Sequence, residues 1–415
     1  MRWTGLIAAT LLAGAAPGAV GAQSLPAPQQ HQPQQAVEGG VPLTAENRAH
    51  VERAAAEVLF WNQEQRDQNF PHMEKLFPGH VVHAAKKPLA LPPGPPLPIA
   101  AATVDAFIKA QNVAGLIVLQ QGAVRLERYA RGLDRDGRWT SFSVAKSFTS
   151  TLVGAAIRDG YIKSVDEPVT RYIPDLAGSA YDGVTIAQLL TMTSGVKWNE
   201  DYTDPKSDVV RMFSTPAPAG VDPTVAYMRT LPREAAPGSK WVYKTGETNL
   251  IGVLVGNAIK QPLANYLTEK VWQRYGMSSD AFWMTDPAGH EIGGCCISVS
   301  LRDYARMGQL AMEEGHGIVA PEWFAEASKP HADTGRGPGF GYGYQWWTYP
   351  EGRFGAVGVF GQSITIDRAS KTVVVILSAW PKATDPELSR QRLAFLGELF
   401  KAAKGPLVQV PHRRH

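Results

Sequence analysis

The sequence predicts an α/β protein of the α+β type, in which an antiparallel sheet is flanked by helices and carries an inserted helical region. Strand-like runs occur early in the main body, at 115–132, and again near the end of the chain, at 356–367 and 372–380. Such runs pair with one another, so one sheet is expected to form from distant segments. The residues between them, 184–260, mix helical patterns with loops, which predicts the inserted region.

The composition is that of an ordinary globular protein. Of the 415 residues, 44% are hydrophobic and 19% are charged, so the chain can bury a large core. The formal net charge is only +3, which gives no reason to expect nucleic acid or a strongly acidic partner. These features do not bear on the oligomeric state.

The first 22 residues have the features of an export signal. Arg2 precedes an apolar run that ends in the small residues Val20, Gly21 and Ala22, a suitable cleavage site before Gln23. The run is interrupted by glycine and proline and is too short for a comfortable membrane span, so we expect no stable membrane anchor after cleavage. The mature protein is predicted to be exported, either periplasmic or secreted.

The rest of the chain divides by composition. The Gln/Pro-rich stretch after the signal predicts a disordered linker. The predicted divisions are the signal peptide (1–22), the linker (23–40), an N-terminal annex (41–100), the main domain (101–405) and a tail (406–415). In the annex, a helix is expected over 44–70 with Thr44 as its N-cap. An extended strap is expected over 86–98, where six of thirteen residues are proline.

Within the main domain, each element has its own signal. In 115–132 two runs flank a glycine turn, and Val124 and Leu126 alternate with charged residues, which is typical of a half-buried strand. A helix follows over 143–157. Further helices are predicted at "TIAQLLTMT" and over 248–272, and an amphipathic helix closes the domain.

The two cysteines, Cys295 and Cys296, are adjacent. Neighbouring cysteines cannot reach ordinary disulfide geometry without strain, which favours two buried thiols; a vicinal disulfide is the alternative outside the cytosol. The histidines between His72 and His83 lack the spacing of a zinc site. We therefore expect no metal and no cofactor.

The helix over 143–157 contains one charge, Lys146, among apolar and small residues. This pattern predicts a helix buried on all sides, and lysine is almost never buried without a partner. Ser143 lies three residues earlier, so the two side chains share one helix face and can touch. A buried lysine can be neutral near pH 7 and take the proton of a serine, and the amides at a helix start can hold an oxyanion.

A structural interpretation of these residues remains open. Ser143 could be a helix N-cap beside a lysine whose amine reaches water. A second Ser-x-x-Lys pair, Ser194 and Lys197, is attributed to chance, because Gly195 follows the serine and the segment leaves a helix. A catalytic pair needs a third group, and the candidate is Tyr243.

Tyr243 lies in "PGSKWVYKTGETNLIG", where a Pro-Gly turn leads into a predicted short strand, Trp241 to Tyr243, ahead of a helix. A tyrosine at such an edge can share a proton with a lysine and relay it to a leaving group. The alternative is a core tyrosine whose hydroxyl is satisfied.

Taken in order, these motifs resemble those of the penicillin-recognising serine hydrolases: class C β-lactamases, DD-peptidases and their esterase and amidase relatives. Within that group the chain is most similar to the branch of 6-aminohexanoate-dimer hydrolases. The resemblance covers roughly 101–405 and implies a β-lactamase/DD-peptidase-like fold. The segments that carry it are "SFSVAKSFTS", "DYTDPKSDV", "WVYKTGETNLIG", "CCISVSLRDYARMGQLAM" and "GYGYQWW".

The resemblance implies a role for each matching residue. Ser143 is the expected nucleophile, Lys146 its base and Tyr243 the proton relay. The expected oxyanion hole consists of the backbone N–H of Ser143 and one from the Gly-rich strand near Val359. Tyr202, in "DYTDP", matches a loop tyrosine that covers substrate in the 6-aminohexanoate-dimer branch.

The chain departs from the β-lactamase pattern in two places. The residue two positions after the tyrosine is Thr245, where β-lactamases and DD-peptidases have asparagine. Their closing-strand Lys-Thr-Gly is also missing; Lys244 begins such a triplet, but directly after the tyrosine.

These departures favour a serine hydrolase that cleaves carboxylic esters or small amides through an acyl-enzyme. A β-lactamase or DD-peptidase is the first alternative, and a non-catalytic binding protein on the same fold is the second. Trp346 and Trp347 are expected either to line an acyl pocket or to belong to the core.

Overall fold

The computed structural model describes residues 38–218 and 220–404. The predicted signal peptide, the linker up to residue 37 and the predicted tail lie outside the described residues. The strands, in chain order, are β1 (Glu38–Gly40), β2 (Pro78–Val82), β3 (Val113–Gln120), β4 (Ala123–Tyr129), β5 (Arg138–Thr140), β6 (Ala281–Met284), β7 (Ile297–Ser300), β8 (Gly341–Tyr342), β9 (Trp347–Thr348), β10 (Phe354–Gly358), β11 (Gln362–Asp367) and β12 (Thr372–Ser378).

Among the described residues, four α-helices have twelve or more residues, and the other α-helices have ten or fewer. The α-helices are α1 (Arg48–Glu57), α2 (Gln63–Asn69), α3 (Ala101–Ala110), α4 (Ala145–Arg158), α5 (Ile186–Leu190), α6 (Asp208–Ser214), α7 (Pro223–Met228), α8 (Thr245–Ile259), α9 (Leu263–Leu267), α10 (Gln273–Tyr275), α11 (Leu301–Met312), α12 (Trp323–Ala327) and α13 (Pro386–Lys404). No helix in the described part of the chain is long and apolar enough to cross a bilayer.

A seven-stranded sheet joins the two ends of the main domain, as the sequence predicts. Its order is β4-β3-β12-β11-β10-β9-β8, and the named strand pairs are antiparallel. Residues 113–120 of β3 are all buried, because both faces of the sheet are covered. Alternate residues therefore enter different cores: Leu116 and Val118 pack with α3 and α13, whereas Ile117 and Leu119 join the main core.

A second sheet, of order β1-β2-β6-β7-β5, was not predicted. Its strands are only three to five residues long, and β6 and β7 are buried at every position. Short strands without polar–apolar alternation lack the sequence pattern that identifies strands. Residues 38–40, which we expected in the disordered linker, pair with Pro78–His80 as the edge of this sheet.

The prediction of one helix over 44–70 is wrong: the structure has two helices there, and the first begins later than predicted. The N-cap of α1 is Asn47 rather than Thr44, and the chain leaves helical geometry at Trp61. Asn62 then starts α2 with a capping box, in which Asn62 and Gln65 each bind the other's backbone N–H. This break turns α2 back toward the main domain, where Arg131 of the β4–β5 loop binds Asp67.

Two further expectations need correction. The segment Trp241 to Tyr243 is not a strand but an irregular segment before α8, although the Val242 N–H still donates to the Met192 carbonyl. The helix predicted over 248–272 is two helices, because Lys260 adopts a left-handed conformation that ends α8. The chain resumes in α9 and passes through a π-helical turn, Thr268–Trp272, into α10.

Candidate active site

Ser143 lies in a 3-10 turn, Phe142–Val144, that connects β5 to α4. Phe142 has a φ of +43°, a left-handed conformation that a bulky residue adopts only when its surroundings enforce it. Its ring is held by Phe70 of the annex and by Phe360, each with a centroid distance of 5.1 Å. The aromatic cluster of Phe70, Phe142 and Phe360 therefore fixes the turn that presents Ser143.

The end of β10 lies against the same turn. A Cβ added at Gly358 would come within 2.6 Å of the Ser141 carbonyl and 3.2 Å of the Ser143 nitrogen, so a side chain there would push the strand away. Val359 follows and lines the same cavity as Ser143. The strand end predicted to face the nucleophile is thus beside it.

Lys146 is buried, as its sequence context predicts, with 1% of its surface exposed. Its Nζ lies 3.0 Å from Ser143 Oγ, 3.1 Å from Thr245 Oγ1 and 2.7 Å from the Gly294 carbonyl. Burial lowers the pKa of Lys146 from 10.5 to about 8, and the charge of Glu200 opposes this decrease. A sizeable fraction of the amine is therefore uncharged near neutral pH.

Tyr243 lies beside this pair. Lys146 Nζ is 5.2 Å from the centre of its ring, and the Ser143 side chain is close enough to lower the pKa of its phenol, against the larger effect of burial. Burial raises the pKa of Tyr243 well above its usual value, with a contribution from the Glu200 charge, so the phenol is neutral and can donate. The ring stacks on Trp347 at 5.7 Å. The structure thus brings together the three residues that the sequence suggested.

The sequence did not single out Glu200. Its carboxylate accepts hydrogen bonds from the Thr245 backbone N–H, from the Thr245 hydroxyl and from the indole of Trp198. The Tyr202 hydroxyl also donates to it, at 2.7 Å, and Tyr202, the predicted loop tyrosine, lines the cavity at Ser143. No sequence signal distinguishes Glu200 from the other acidic residues of its polar loop.

Cys295 and Cys296 form a vicinal disulfide, which corrects the expectation of two thiols. Cys296 has a φ of +71°, a backbone conformation that the sequence did not reveal. The pair lines the cavity and follows Gly294, whose N–H donates to Asn249 Oδ1 at 2.7 Å. This bond to α8 helps to hold the carbonyl that binds Lys146.

The cavity at Ser143 has a volume of about 90 Å³. No charged side chain is among the described residues that line it. Its aliphatic wall comes from the annex, from α6 and from the loop before β7, and consists of Ala55, Val58, Leu59, Val209, Val210 and Ile292. Such a surface suits an uncharged, apolar group.

The two other lysines of interest do not face the cavity. Lys244, which begins the displaced Lys-Thr-Gly triplet, is fully buried 3.5 Å from Glu247. In the second Ser-x-x-Lys pair, Ser194 donates to the same Glu247, whereas Lys197 is exposed. Neither lysine lines the cavity.

The two tryptophans differ in role. Trp346 is fully buried and packs on Phe324 and Phe354, so it belongs to the core. Trp347 is partly exposed and forms the wall behind Tyr243, but it does not line the cavity at Ser143.

One cluster of side chains of metal-ligating types lies elsewhere in the described residues. Asp222, Asp286 and His290 bring their ligand atoms within 4.8 Å of one another at a second, more polar cavity. His290 Nδ1 is 2.8 Å from Asp222, and this hydrogen bond raises the pKa of His290. The three side chains thus satisfy one another as a partly exposed ion-pair network.

Comparison with known proteins identifies the family. The family profile described as "Beta-lactamase" matches residues 100–398, well over half of the chain. The chain belongs to the beta-lactamase family. The predicted resemblance and fold class are therefore confirmed, and the protein is an enzyme, a hydrolase of the serine β-lactamase fold.

Proteins similar to this chain carry different activities in their names. The chain is 30% identical over 290 residues, 65% of its length and 73% of the relative, to a 6-aminohexanoate-dimer hydrolase of Paenarthrobacter ureafaciens. It superposes on a Bacillus anthracis structure, provisionally named a 6-aminohexanoate-dimer hydrolase, with a TM-score of 0.71 and 20% identity over 82% of this chain and 95% of that one. For a D-stereospecific amidohydrolase of Streptomyces, the TM-score is 0.56 and the identity 18%, over 71% of this chain and 98% of that one.

Proposed function

We propose that the protein is an exported serine hydrolase that cleaves uncharged carboxylic esters or small amides through an acyl-enzyme on Ser143. The observation that carries the proposal is the buried Lys146 amine, 3.0 Å from Ser143 Oγ. A buried lysine lowers the stability of a fold. Lys146 lies beside the hydroxyl of Ser143, which lines a cavity, and this position suits a catalytic base.

In the proposed acylation, Ser143 Oγ attacks the substrate carbonyl while the neutral Lys146 amine takes the hydroxyl proton. The oxyanion is held by the backbone N–H groups of Ser143 and Val359. Tyr243, whose phenol is neutral, gives its proton to the leaving group while the Lys146 ammonium returns the serine proton to the phenol, so that an alcohol or amine departs and both side chains are neutral again. Water then hydrolyses the ester bond to Ser143 with the same groups acting in reverse.

The cavity supports the choice of an uncharged substrate. A carboxylate or ammonium moved into a wall of aliphatic side chains loses its hydration without gaining a partner. The relatives' names also include hydrolases of amide substrates, which supports amides beside esters. Tyr202 is proposed to cover the bound substrate from its position on Glu200.

β-Lactam hydrolysis is the competing function, and the family match favours it. It is placed second because the chain lacks the closing-strand lysine, and Lys244 is held by Glu247 instead. An anionic β-lactam would therefore meet no cation among the described residues that line the cavity.

The test compares a p-nitrophenyl butyrate ester, a butyranilide and a chromogenic cephalosporin on the purified protein. We expect a burst of nitrophenol followed by steady turnover of the ester, slower turnover of the anilide and little cleavage of the cephalosporin. Ser143→Ala should reduce ester turnover by about 10⁴-fold. A loss below tenfold would remove Ser143 from the mechanism, and preferential cleavage of the cephalosporin would establish the competing function.

A further inference from the structure

Hydrogen bonds connect Glu200, in the loop before α6, to Lys146 through the Thr245 hydroxyl. Glu200 Oε2 accepts from the Thr245 backbone N–H at 2.9 Å and from the Trp198 indole. Glu200 Oε1 accepts from the Tyr202 hydroxyl at 2.7 Å and from the Thr245 hydroxyl. Four donors suit an ionised carboxylate, which only accepts. The Thr245 hydroxyl hydrogen is therefore committed to Glu200.

A committed hydroxyl hydrogen fixes the direction of the hydroxyl lone pairs. Lys146 Nζ lies 3.1 Å from Thr245 Oγ1, so the lysine must donate to that oxygen. A second N–H of Lys146 goes to the Gly294 carbonyl at 2.7 Å. A neutral amine has two N–H groups and one lone pair, and the remaining neighbour is Ser143 Oγ at 3.0 Å.

The lone pair therefore faces the serine, which is the arrangement that a general base needs. With a free rotor, the Thr245 hydroxyl could instead donate to the lone pair of Lys146, and the lysine would then donate to Ser143. That reversed arrangement cannot accept the serine proton. The orientation of one hydroxyl hydrogen thus separates an active from an inactive hydrogen-bond network.

We propose that Glu200 is a positioning residue that, through the Thr245 hydroxyl, directs the lone pair of Lys146 at Ser143; this inference rests on the proposed function. It also accounts for the departure at position 245. An asparagine there would offer a carbonyl oxygen that accepts without help, whereas a threonine hydroxyl can donate or accept. Threonine at this position therefore needs a partner that removes its hydrogen.

Glu200 has a second effect, through its charge. The titratable groups near Lys146 are Tyr243 before α8, and Glu200 and Tyr202 in the loop before α6. Lys244, at the N-cap of α8, and Glu247 in the first turn of α8 form a buried pair 3.5 Å apart. In the loop before β7, the Cys295–Cys296 disulfide lines the cavity and does not titrate. Glu200 is the group whose charge raises the pKa of Lys146 against burial. Removing it should move the acidic limb of the pH–rate profile to lower pH.

The experiment is a double-mutant cycle on ester hydrolysis with Glu200→Gln, Thr245→Val and the double variant. Glutamine has nearly the shape of glutamate, but its amide donates where the carboxylate accepted, which turns the Thr245 hydroxyl toward Lys146. Glu200→Gln alone should lower kcat by about tenfold or more. With valine at position 245 there is no hydroxyl to orient, so adding Glu200→Gln should change kcat by less than about threefold.

The controls separate this role from a structural one. Glu234→Gln removes an exposed carboxylate paired with Lys240, and should leave both kcat and the pH profile unchanged. Thr245→Ser should restore most of the activity lost in Thr245→Val, because it restores the hydroxyl. If Glu200→Gln does not fold, the Thr245→Ser and Thr245→Val pair still tests the hydroxyl.

The outcomes distinguish the two proposals. Equal losses from Glu200→Gln in both backgrounds, or an unshifted acidic limb, would overturn the role of Glu200 while Ser143-dependent hydrolysis stands. The proposed function would instead be overturned if the unmodified protein cleaved no ester or amide. It would also be overturned if the Ser143→Ala variant cleaved these substrates as fast as the unmodified protein.

Discussion

Replacing Lys146 by methionine distinguishes the effect of the buried amine on the free energy of unfolding from its effect on ester hydrolysis. Methionine has a similar length and fills irregular space well, so the packing of α4 should persist. The folded pKa of Lys146, about 8, lies below its value of 10.5 when unfolded. The fold therefore disfavours the charged lysine, and this penalty is complete below pH 8 and disappears as the pH rises toward 10.5.

The difference between 10.5 and about 8 corresponds to about 3 kcal/mol at low pH. Between pH 6 and pH 9.5, the free energy of unfolding of the unmodified protein should rise by about 2 kcal/mol as this penalty decreases. Methionine also leaves the Gly294 carbonyl without its donor, at a cost of about 1–3 kcal/mol that does not depend on pH. The stability difference at a single pH contains both contributions, whereas its change with pH reports the lysine penalty alone.

The assay is urea unfolding of both proteins at pH 6 and pH 9.5, with the free energy of unfolding extrapolated to water. We expect the unmodified protein to gain about 2 kcal/mol relative to Lys146→Met over this range. Ester hydrolysis by Lys146→Met should be nearly absent at both pH values. A stability difference that stays constant with pH would show that the lysine is not held in a dry environment, and the account of its basicity would then fail.

Three further predictions concern the groups around Ser143. The kcat/KM for an uncharged ester should rise about tenfold from pH 7 to pH 9, because only neutral Lys146 acts as base; a flat profile would contradict this. Tyr243→Phe keeps the stacking on Trp347 and should lower kcat by about 10²-fold with an unchanged Tm; an unaffected kcat would exclude the relay. Gly358→Ala should lower kcat/KM by about 10²-fold by displacing the strand end, whereas Gly397→Ala, with open space around it, should keep activity and gain up to about 1 kcal/mol. Equal activity of the two glycine variants would show that Gly358 does not position the site.

The parts of the fold that the sequence predicts are those with a strong hydrophobic pattern. β3, β11 and β12 are apolar or alternating runs bounded by turns, and residues 143–157, most of which form α4, contain one charge in fifteen positions. Ser143 and Lys146 could be paired because a helix brings i and i+3 together whatever the tertiary structure is. Tyr243 lies 97 residues beyond Lys146, so no local geometry connects them; its place at a predicted strand edge made it a candidate, and the resemblance to a family implied its role.

What the sequence did not predict depends on contacts between loops and short segments. Glu200 reaches Thr245 across 45 positions, and no periodicity links two loop residues. The strands of the second sheet are too short to show alternation. The break before α2 was detectable, because Asn62 and Gln65 have the spacing of a capping box; the helix-forming residues on both sides of it concealed the signal.

The central claim is that Ser143 is an activated nucleophile, and covalent labelling tests it most directly. The protein is incubated with a fluorophosphonate at pH 7 and pH 9, and the modified peptide is identified by mass spectrometry. We predict one adduct, on Ser143, that forms faster at pH 9 and is absent from Ser143→Ala. A protein that remains unlabelled, or that is labelled on Ser194 instead, would contradict the account.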